Sequence, residues 1–330
     1  MIFLQMIKTT ERRASNPPYI SKDLAIIIPT KDRPNEIRRL LQSITEMDCE
    51  IGRIIVVASG QEINEVVMAF ARRLPVEYHR SDPGQIKQRN LGIAQLDETT
   101  RLVATMDDDT VFYKDAVSKM IVFWNCVEPE TAGVGFNIIN QKGHHHTWLR
   151  GFFGVSVPEP GRVLKSGINT AITNVKESIR SEWLNGGATV WQQEILKTHP
   201  HRELRSRWAV CEDLIFSYPL GRKHPLYVCH DAQVETEDVA MQNETPELYR
   251  FRGKSHSLWG LYFVFNNKEL SINSYFRYKI MHLLLVTVQG LIFLDYRKIQ
   301  WSIGIIMAVY LSLYLLLKKN NIVNLIESNT

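Results

Sequence analysis

The chain has 330 residues, 45% hydrophobic and 22% charged, enough apolar material to bury one large core or a core with a smaller appendage, which excludes a disordered scaffold. Its 39 basic and 35 acidic residues leave a net charge of only +4, and no run of five like charges suggests a nucleic-acid arm, so nucleic acid is not an expected partner. Cys49, Cys126, Cys211 and Cys229 are scattered without short paired spacings, which argues against a zinc knuckle or disulfide framework and fits a reducing compartment.

Residues 1–22 read as an N-terminal extension. Its few apolar residues precede the first charge at Lys8, the reverse of a secretory signal, and no export signal is expected. Leu24 to Ile28 is a β-branched apolar run closed by Pro29, the pattern of a strand buried on both faces. Pro34 then opens a helix with Ile37, Leu40, Leu41 and Ile44 on one face. A strand over Arg53–Val57, a helix over Glu65–Leu74, a strand over Val76–His79, a helix over Gln85–Leu96 and a strand over Arg101–Met106 follow. Such alternation predicts an α/β domain with a mostly parallel sheet flanked by helices, and ligands in these sheets sit at the carboxyl ends of strands. Three strand ends therefore matter: Pro29–Arg33, Ala58–Gly60 and Asp107–Asp109. Periodicity fades over Gln141–Arg180, as expected of long loops or a small antiparallel insertion. It returns with a strand over Trp183–Trp191, helices over Glu194–Lys197 and Glu212–Leu220, and a strand over Leu226–Cys229.

Asp107, Asp108 and Asp109 directly follow an apolar strand, where three adjacent carboxylates repel one another unless a cation or strong donors intervene. Hard oxygen ligands suit Mg2+ or Mn2+, ions that bridge protein carboxylates to substrate phosphates and neutralise a departing diphosphate. An acidic turn capping the next helix is the competing structural reading.

At five ordered stations between Leu24 and Glu237 the sequence resembles the family-two glycosyltransferases of the GT-A, Rossmann-like fold. The stations are Ile28-Pro-Thr-Lys-Asp-Arg-Pro34, Gly84-Gln-Ile-Lys-Gln-Arg-Asn-Leu-Gly92, Asp107–Asp109, Asn185-Gly-Gly-Ala188 and Glu212-Asp213. The resemblance implies a hexosyl transfer from a nucleotide-diphosphate sugar to an acceptor hydroxyl by inverting displacement. It assigns the donor to Pro29, Thr30, Asp32, Arg33, Ser59, Arg89, Asn90, Asp107 and Asp108, and the ion to Asp109 with Asp107. The acceptor side falls to Gly186, Gly187 and Glu212, and the general base to Asp213.

Two positions depart from the family pattern. Ala58 stands where relatives usually carry a base-recognising aspartate, and Thr236 about where a histidine is common; His230 and Glu235 lie close by. His144–His146 reads as a solvated or acceptor-side loop, followed by apolar Trp148, Phe152 and Phe153, which either cover the core or greet a lipid-linked acceptor. Arg250, Arg252 and Lys254 suit either closure over a diphosphate or an ordinary charged helix face.

The domain reading is a transferase domain over 23–240, a helical linker over 241–277, a membrane-associated apolar helical hairpin over 278–320, and a tail over 321–330. Ile280–Leu294 and Trp301–Leu317 are marginal in length for a bilayer but suit an interfacial anchor flanked by Arg297, Lys298, Lys318 and Lys319. A membrane surface, a glycan or lipid-linked acceptor, and a place on the cytoplasmic side of the membrane in envelope or exopolysaccharide synthesis are the matching expectations. A buried helical pair is the alternative for the hairpin. For the whole chain the alternatives are an inactive nucleotide-sugar-binding scaffold and a sugar-1-phosphate nucleotidyltransferase. The latter needs a glycine-rich basic loop that Pro29–Arg33 lacks.

Overall fold

The computed structural model describes residues 17–148, 151, 155–203, 210–237, 245–318 and 323. The expectations for Phe152, Phe153, Lys319 and most of the tail lie outside the described residues. The chain divides into two compact units, one of Met1–His144, Ala171–Glu203 and Phe216–Val239, the other of His145–Thr170, Leu204–Ile215 and Ala240–Thr330.

The first unit is a mixed α/β sandwich, as the sequence pattern predicts. Its strands are β1 (Leu24–Lys31), β2 (Arg53–Ser59), β3 (Val76–Arg80), β4 (Leu102–Met106), β5 (Thr110–Phe112), β6 (Gly133–Ile138), β7 (Ile179–Ser181), β8 (Ala188–Gln192) and β9 (Leu226–Thr236). Among the described residues they form a nine-stranded sheet in the order β3-β2-β1-β4-β8-β6-β9-β5, with β7 on β9. β3, β2, β1 and β4 pair in parallel, as do β6 and β9, while β8, β5 and β7 join antiparallel.

The even-numbered side chains of β1, Leu24, Ile26 and Ile28, join one buried cluster with Ile37, Leu40, Leu41 and Ile44 of helix α1 (Pro34–Thr45). The odd-numbered face meets helix α3 (Gln85–Ala94), which follows the short α2 (Asn64–Met68) in the chain. Burial on both faces explains why β1 is continuously apolar. Contact with α3 is so close that a Cβ on Gly92 would lie 2.5 Å from Ile27 Cγ2.

Several boundaries differ from the sequence expectation for identifiable reasons. β1 continues past Pro29 to Lys31 because its ladder with β4 stops at Ile27, leaving Pro29 paired on one side only, where a missing N–H is tolerated. The helix expected over Glu65–Leu74 ends at Met68 and gives way to turns. The strand expected from Trp183 begins at Ala188, because Asn185-Gly186-Gly187 loops out ahead of it. β9 runs on to Thr236, past a register shift opposite Phe136/Asn137.

The second unit holds the long helices α7 (Pro246–Asn266), α8 (Ile272–Ile292) and α9 (Tyr296–Lys318). Between α3 and these come α4 (Ala116–Cys126) and α5 (Gln193–Thr198), both in the first unit, and α6 (Glu212–Gly221). α7 and α9 pack with backbones nearly touching, since a Cβ on Gly253 would lie 2.4 Å from the Trp301 carbonyl oxygen and one on Gly304 would lie 2.1 Å from that of Arg250. Among the described residues no helix is long and apolar enough to cross a membrane. The expected apolar runs fall within helices whose first turns carry Asn273 and Arg277, or Arg297 and Lys298, with Phe293 and Leu294 just past the end of α8.

The Gly92→Ala variant is expected to unfold at lower urea. Overpacking against Ile27 costs about 1–3 kcal/mol, which outweighs the roughly 1 kcal/mol that alanine gains over glycine inside a helix.

Candidate functional site

At the carboxyl edge of the parallel strands the chain turns from β4 into β5 through Asp107, Asp108 and Asp109. The turn is fixed by backbone bonds at both ends. Asp107 N–H donates to Gly187 O at 2.9 Å, and Glu237 N–H donates to Asp109 O at 3.0 Å. The three carboxylates then meet three different environments.

Asp108 is 5% exposed, with one oxygen accepting from Thr30 Oγ1 at 2.7 Å and the other from Arg33 Nη1 at 2.9 Å. Both its oxygens are occupied by the end of β1, so it fastens two strand tips. Burial pushes its carboxyl up, against the pull of Thr30 and Arg33.

Asp107 is partly exposed, and its Oδ1 accepts from Arg89 Nη2 at 2.9 Å and Gln85 Nε2 at 2.8 Å. Arg89 is only 1% exposed and therefore acts from beneath, anchoring Asp107 on α3. Gly187 is glycine for the same carboxylate, because a Cβ there would lie 2.0 Å from Asp107 Oδ2. The resemblance gave this glycine to the sugars; the structure also presses it against the acidic tip.

Asp109 keeps a looser ion pair, 3.6 Å from Arg33 Nη1. Burial first, then the charges of Asp107 and Asp108, push its carboxyl up to about 6. Like charges crowded in a half-buried turn are relieved by a divalent cation, so Asp107 and Asp109 fit Mg2+ or Mn2+ as hard oxygen ligands. Among the described residues no group of three or more His, Cys, Asp and Glu side chains could hold a metal, His144–His146 included. An ion between Asp107 and Asp109 would complete its shell with phosphate oxygens and water, as Mg2+ commonly does.

The neighbouring strand ends are tied to this tip. Buried Gln88 donates from Nε2 to both Thr30 O and Val57 O at 2.7 Å, clamping β1 to β2 from α3. Asp32, in left-handed backbone (φ 57°), accepts from Gln61 N–H at 2.6 Å, and Gly60 (φ 72°) leaves room for its carboxylate. Pro29 is buried and Ser59 is 1% exposed with an Oγ that has no hydrogen-bond partner. The side chain of Ala58 belongs to the core cluster, so a carboxylate at this departure would be buried among aliphatic groups. Asn90 donates to His201 O at 2.8 Å and Glu203 Oε1 at 3.0 Å, holding the segment ahead of α6. The His201 ring stacks on Phe216 at 3.8 Å and is held down to about 3 by burial and by Arg89.

At the second departure, Thr236 is locked by Asn140 and Gln141, Glu235 accepts from Tyr113 Oη, and His230 pairs with Asp231. Thr30, Arg33, Arg89, Gly187, Asp107, Asp108 and Asp109 are thus tied to one another in the first unit, Asp32 is bonded to Gln61, Asn90 to His201 and Glu203, and Pro29, Ser59 and Gly186 lie on the neighbouring strand ends and turn. Glu212 and Asp213 open α6 in the second unit, immediately after Cys211, whose φ of 64° sharply turns the chain into the helix. Gln85 and Gln88 stand in the second station but carry no role in the sequence reading; the hydrogen bonds they make to Asp107, Thr30 and Val57 come from tertiary convergence.

Residues 25–180 match the model of glycosyl transferase family 2. A comparison with curated proteins found no match. Among solved structures, the mannosyltransferase PcManGT from Pyrobaculum calidifontis, in complex with GDP-Man and Mn2+, is 13% identical at a TM-score of 0.52, over 99% of this chain and 90% of that one. S. aureus TarS 1–349 in complex with UDP-GlcNAc is 17% identical at a TM-score of 0.47, over 79% of this chain and 71% of that one. The chain spans 43% of the longer TarS structure, at 16% identity, 80% coverage of this chain and a TM-score of 0.46.

A carboxyl whose folded pKa lies above its unfolded value opposes folding as pH rises through that interval. In chelator, metal-free protein should therefore lose about 1–3 kcal/mol between pH 4 and 6 through Asp109. The Asp109→Asn variant should lack that part of the slope and be the more stable protein at pH 7, as read from urea unfolding at each pH.

Proposed function

We propose that this chain, whose residues 25–180 match the model of glycosyl transferase family 2, is a glycosyltransferase that moves a hexosyl group from a nucleotide-diphosphate sugar to an acceptor hydroxyl with inversion. The observation that supports the reading is the acidic tip, where Arg89 holds Asp107, Asp109 keeps a raised carboxyl and Asp108 is consumed in holding the turn. The donor class extends to this chain what the mannosyltransferase of like fold holds, GDP-Man with Mn2+. Asp107 and Asp109 would hold Mg2+ or Mn2+, which would supply neutralising charge to a departing diphosphate.

Asp213 takes the proton of the acceptor hydroxyl as its oxygen bonds to the anomeric carbon and the bond from that carbon to the diphosphate breaks on the opposite face. Arg89 and Gln85 keep Asp107 from swinging away, so the tip needs little reorganisation when donor arrives. Thr30 and Arg33 do the same for the turn through Asp108.

The acceptor is proposed as a glycan or lipid-linked molecule, handled at the cytoplasmic face of a membrane in envelope or exopolysaccharide synthesis. The support is apolar surface on α8 and α9, where Leu285, Leu291, Ile292, Phe293, Ile306 and Tyr310 are all exposed. Helices with such side chains lie on a membrane surface without crossing it.

A panel of nucleotide sugars with Mn2+ should reveal slow donor hydrolysis or transfer by the full chain. The Asp213→Asn variant is expected to lower kcat by about 100- to 10,000-fold with donor affinity retained, whereas Asp109→Ala removes the Mn2+-dependent part of donor binding. Unchanged turnover in both variants sinks the assignment.

A further inference from the structure

Along α8, Ile280, Leu284, Val288 and Leu291 recur at three- and four-residue spacing and all are exposed, so one face of the helix is an apolar stripe. The stripe runs into the turn that joins α8 to α9. There Ile292, Phe293, Leu294 and Tyr296 are exposed as well, Leu294 at 88%.

This turn is built against the preferences of its residues. Asp295 N–H donates to Gly290 O at 2.9 Å and Leu294 N–H to Leu291 O at 3.4 Å, the paired bonds that close a helix through a left-handed residue. That residue is Leu294, at φ 49°. Glycine or asparagine fills such a position with less strain, because the left-handed backbone crowds an ordinary Cβ against the next carbonyl. Leu294 therefore burdens the fold twice, by its backbone and by an aliphatic side chain left in water. Its exposure leaves little that contacts within the chain can offset.

The charges beside the turn have one sign. Asp295 is the sole carboxylate between Ile280 and Lys318, and it accepts from Arg297 N–H at 3.0 Å, so its charge serves the start of α9. Arg297 is exposed, Lys298 Nζ lies 5.7 Å from the Phe293 ring centre, and Arg277 is exposed at the far end of the stripe.

We propose that the turn between α8 and α9 is a wedge that enters an anionic phospholipid bilayer, with Phe293 and Leu294 below the headgroups and Arg297 and Lys298 at their level. The inference rests on the membrane setting proposed above and deepens it by naming the inserting residues and the lipid charge. Basic side chains directly behind an apolar tip fit the headgroup boundary, where charged ends stay in water while stems and rings lie in hydrocarbon. A bilayer also yields to a convex tip, whereas a second copy of the chain must offer a matching concavity.

The test is sedimentation of the full chain with vesicles of phosphatidylcholine, pure or in equimolar mixture with phosphatidylglycerol. Wild type should bind the anionic vesicles more tightly than the neutral ones. Leu294→Asn should bind both about ten- to a hundredfold more weakly, the range for one leucine leaving water. In solution the same variant should melt at or above wild type, because asparagine relieves the left-handed position. Arg297→Gln combined with Lys298→Gln should weaken binding to the anionic vesicles about tenfold and leave the neutral ones unchanged. Val122→Asn, which replaces an exposed aliphatic residue of α4 in the first unit, should bind as wild type does.

If wild type ignores both vesicle types, the membrane setting falls and the wedge with it. If wild type binds and Leu294→Asn binds equally well, the wedge alone is overturned. Equal binding of neutral and anionic vesicles by wild type, or a Leu294→Asn protein that melts below wild type, also overturns it. So does a wild-type dimer that Leu294→Asn converts to monomer, which would make the turn a self-association surface. Donor binding with Mn2+ in the absence of vesicles should be the same in wild type and Leu294→Asn, so the transferase reading is judged apart from the wedge.

Discussion

Crowding of negative charge at the end of β4 is the constraint on which the rest of the first unit depends. Three consecutive carboxylates cannot share one turn unless the surroundings treat them differently. Asp108 is buried and satisfied by Thr30 and Arg33, Asp107 is gripped by Arg89 and Gln85 with Gly187 pressed against it, and Asp109 is left with its carboxyl raised. The first holds the turn, the second is held in place by its donors, and the third keeps a raised carboxyl in the company of two like charges.

Much of the surrounding construction serves that division of labour. α3 contributes three polar side chains: exposed Gln85 and buried Arg89 reach Asp107, and buried Gln88 ties β1 to β2. Polar groups in such positions are expensive unless every one finds a partner, and together they convert a helix packed on Ile27 into a rigid support for the site. Rigid support of this kind is what lets a preorganised charge act without reorganising at the moment of reaction.

The second unit follows a different logic. Its helices meet at glycines, Gly253 and Gly304, that bring backbones close, and α8 directs an ammonium inward between tyrosines. Leu284, Leu285, Leu291, Ile292, Ile306 and Tyr310 are exposed on it, alongside charged Arg277 and Arg297.

The sequence by itself determined the α/β class, the order of the first strands and the location of the acidic tip. These depend on local pattern: continuous apolar runs for strands buried on both faces, Pro34 at a helix start, and carboxylates directly after a strand. Only the tertiary structure decided which aspartate does what, because Thr30, Arg33, Arg89 and Gly187 come from positions up to 80 residues away and composition carries no trace of that convergence. Tertiary structure also turned Ala58 from a missing aspartate into a core residue, and merged the two C-terminal apolar runs into longer helices that begin with polar turns. The physical reason is common to all of these: pattern along a chain records burial, but the partner a buried polar group finds is a property of the fold.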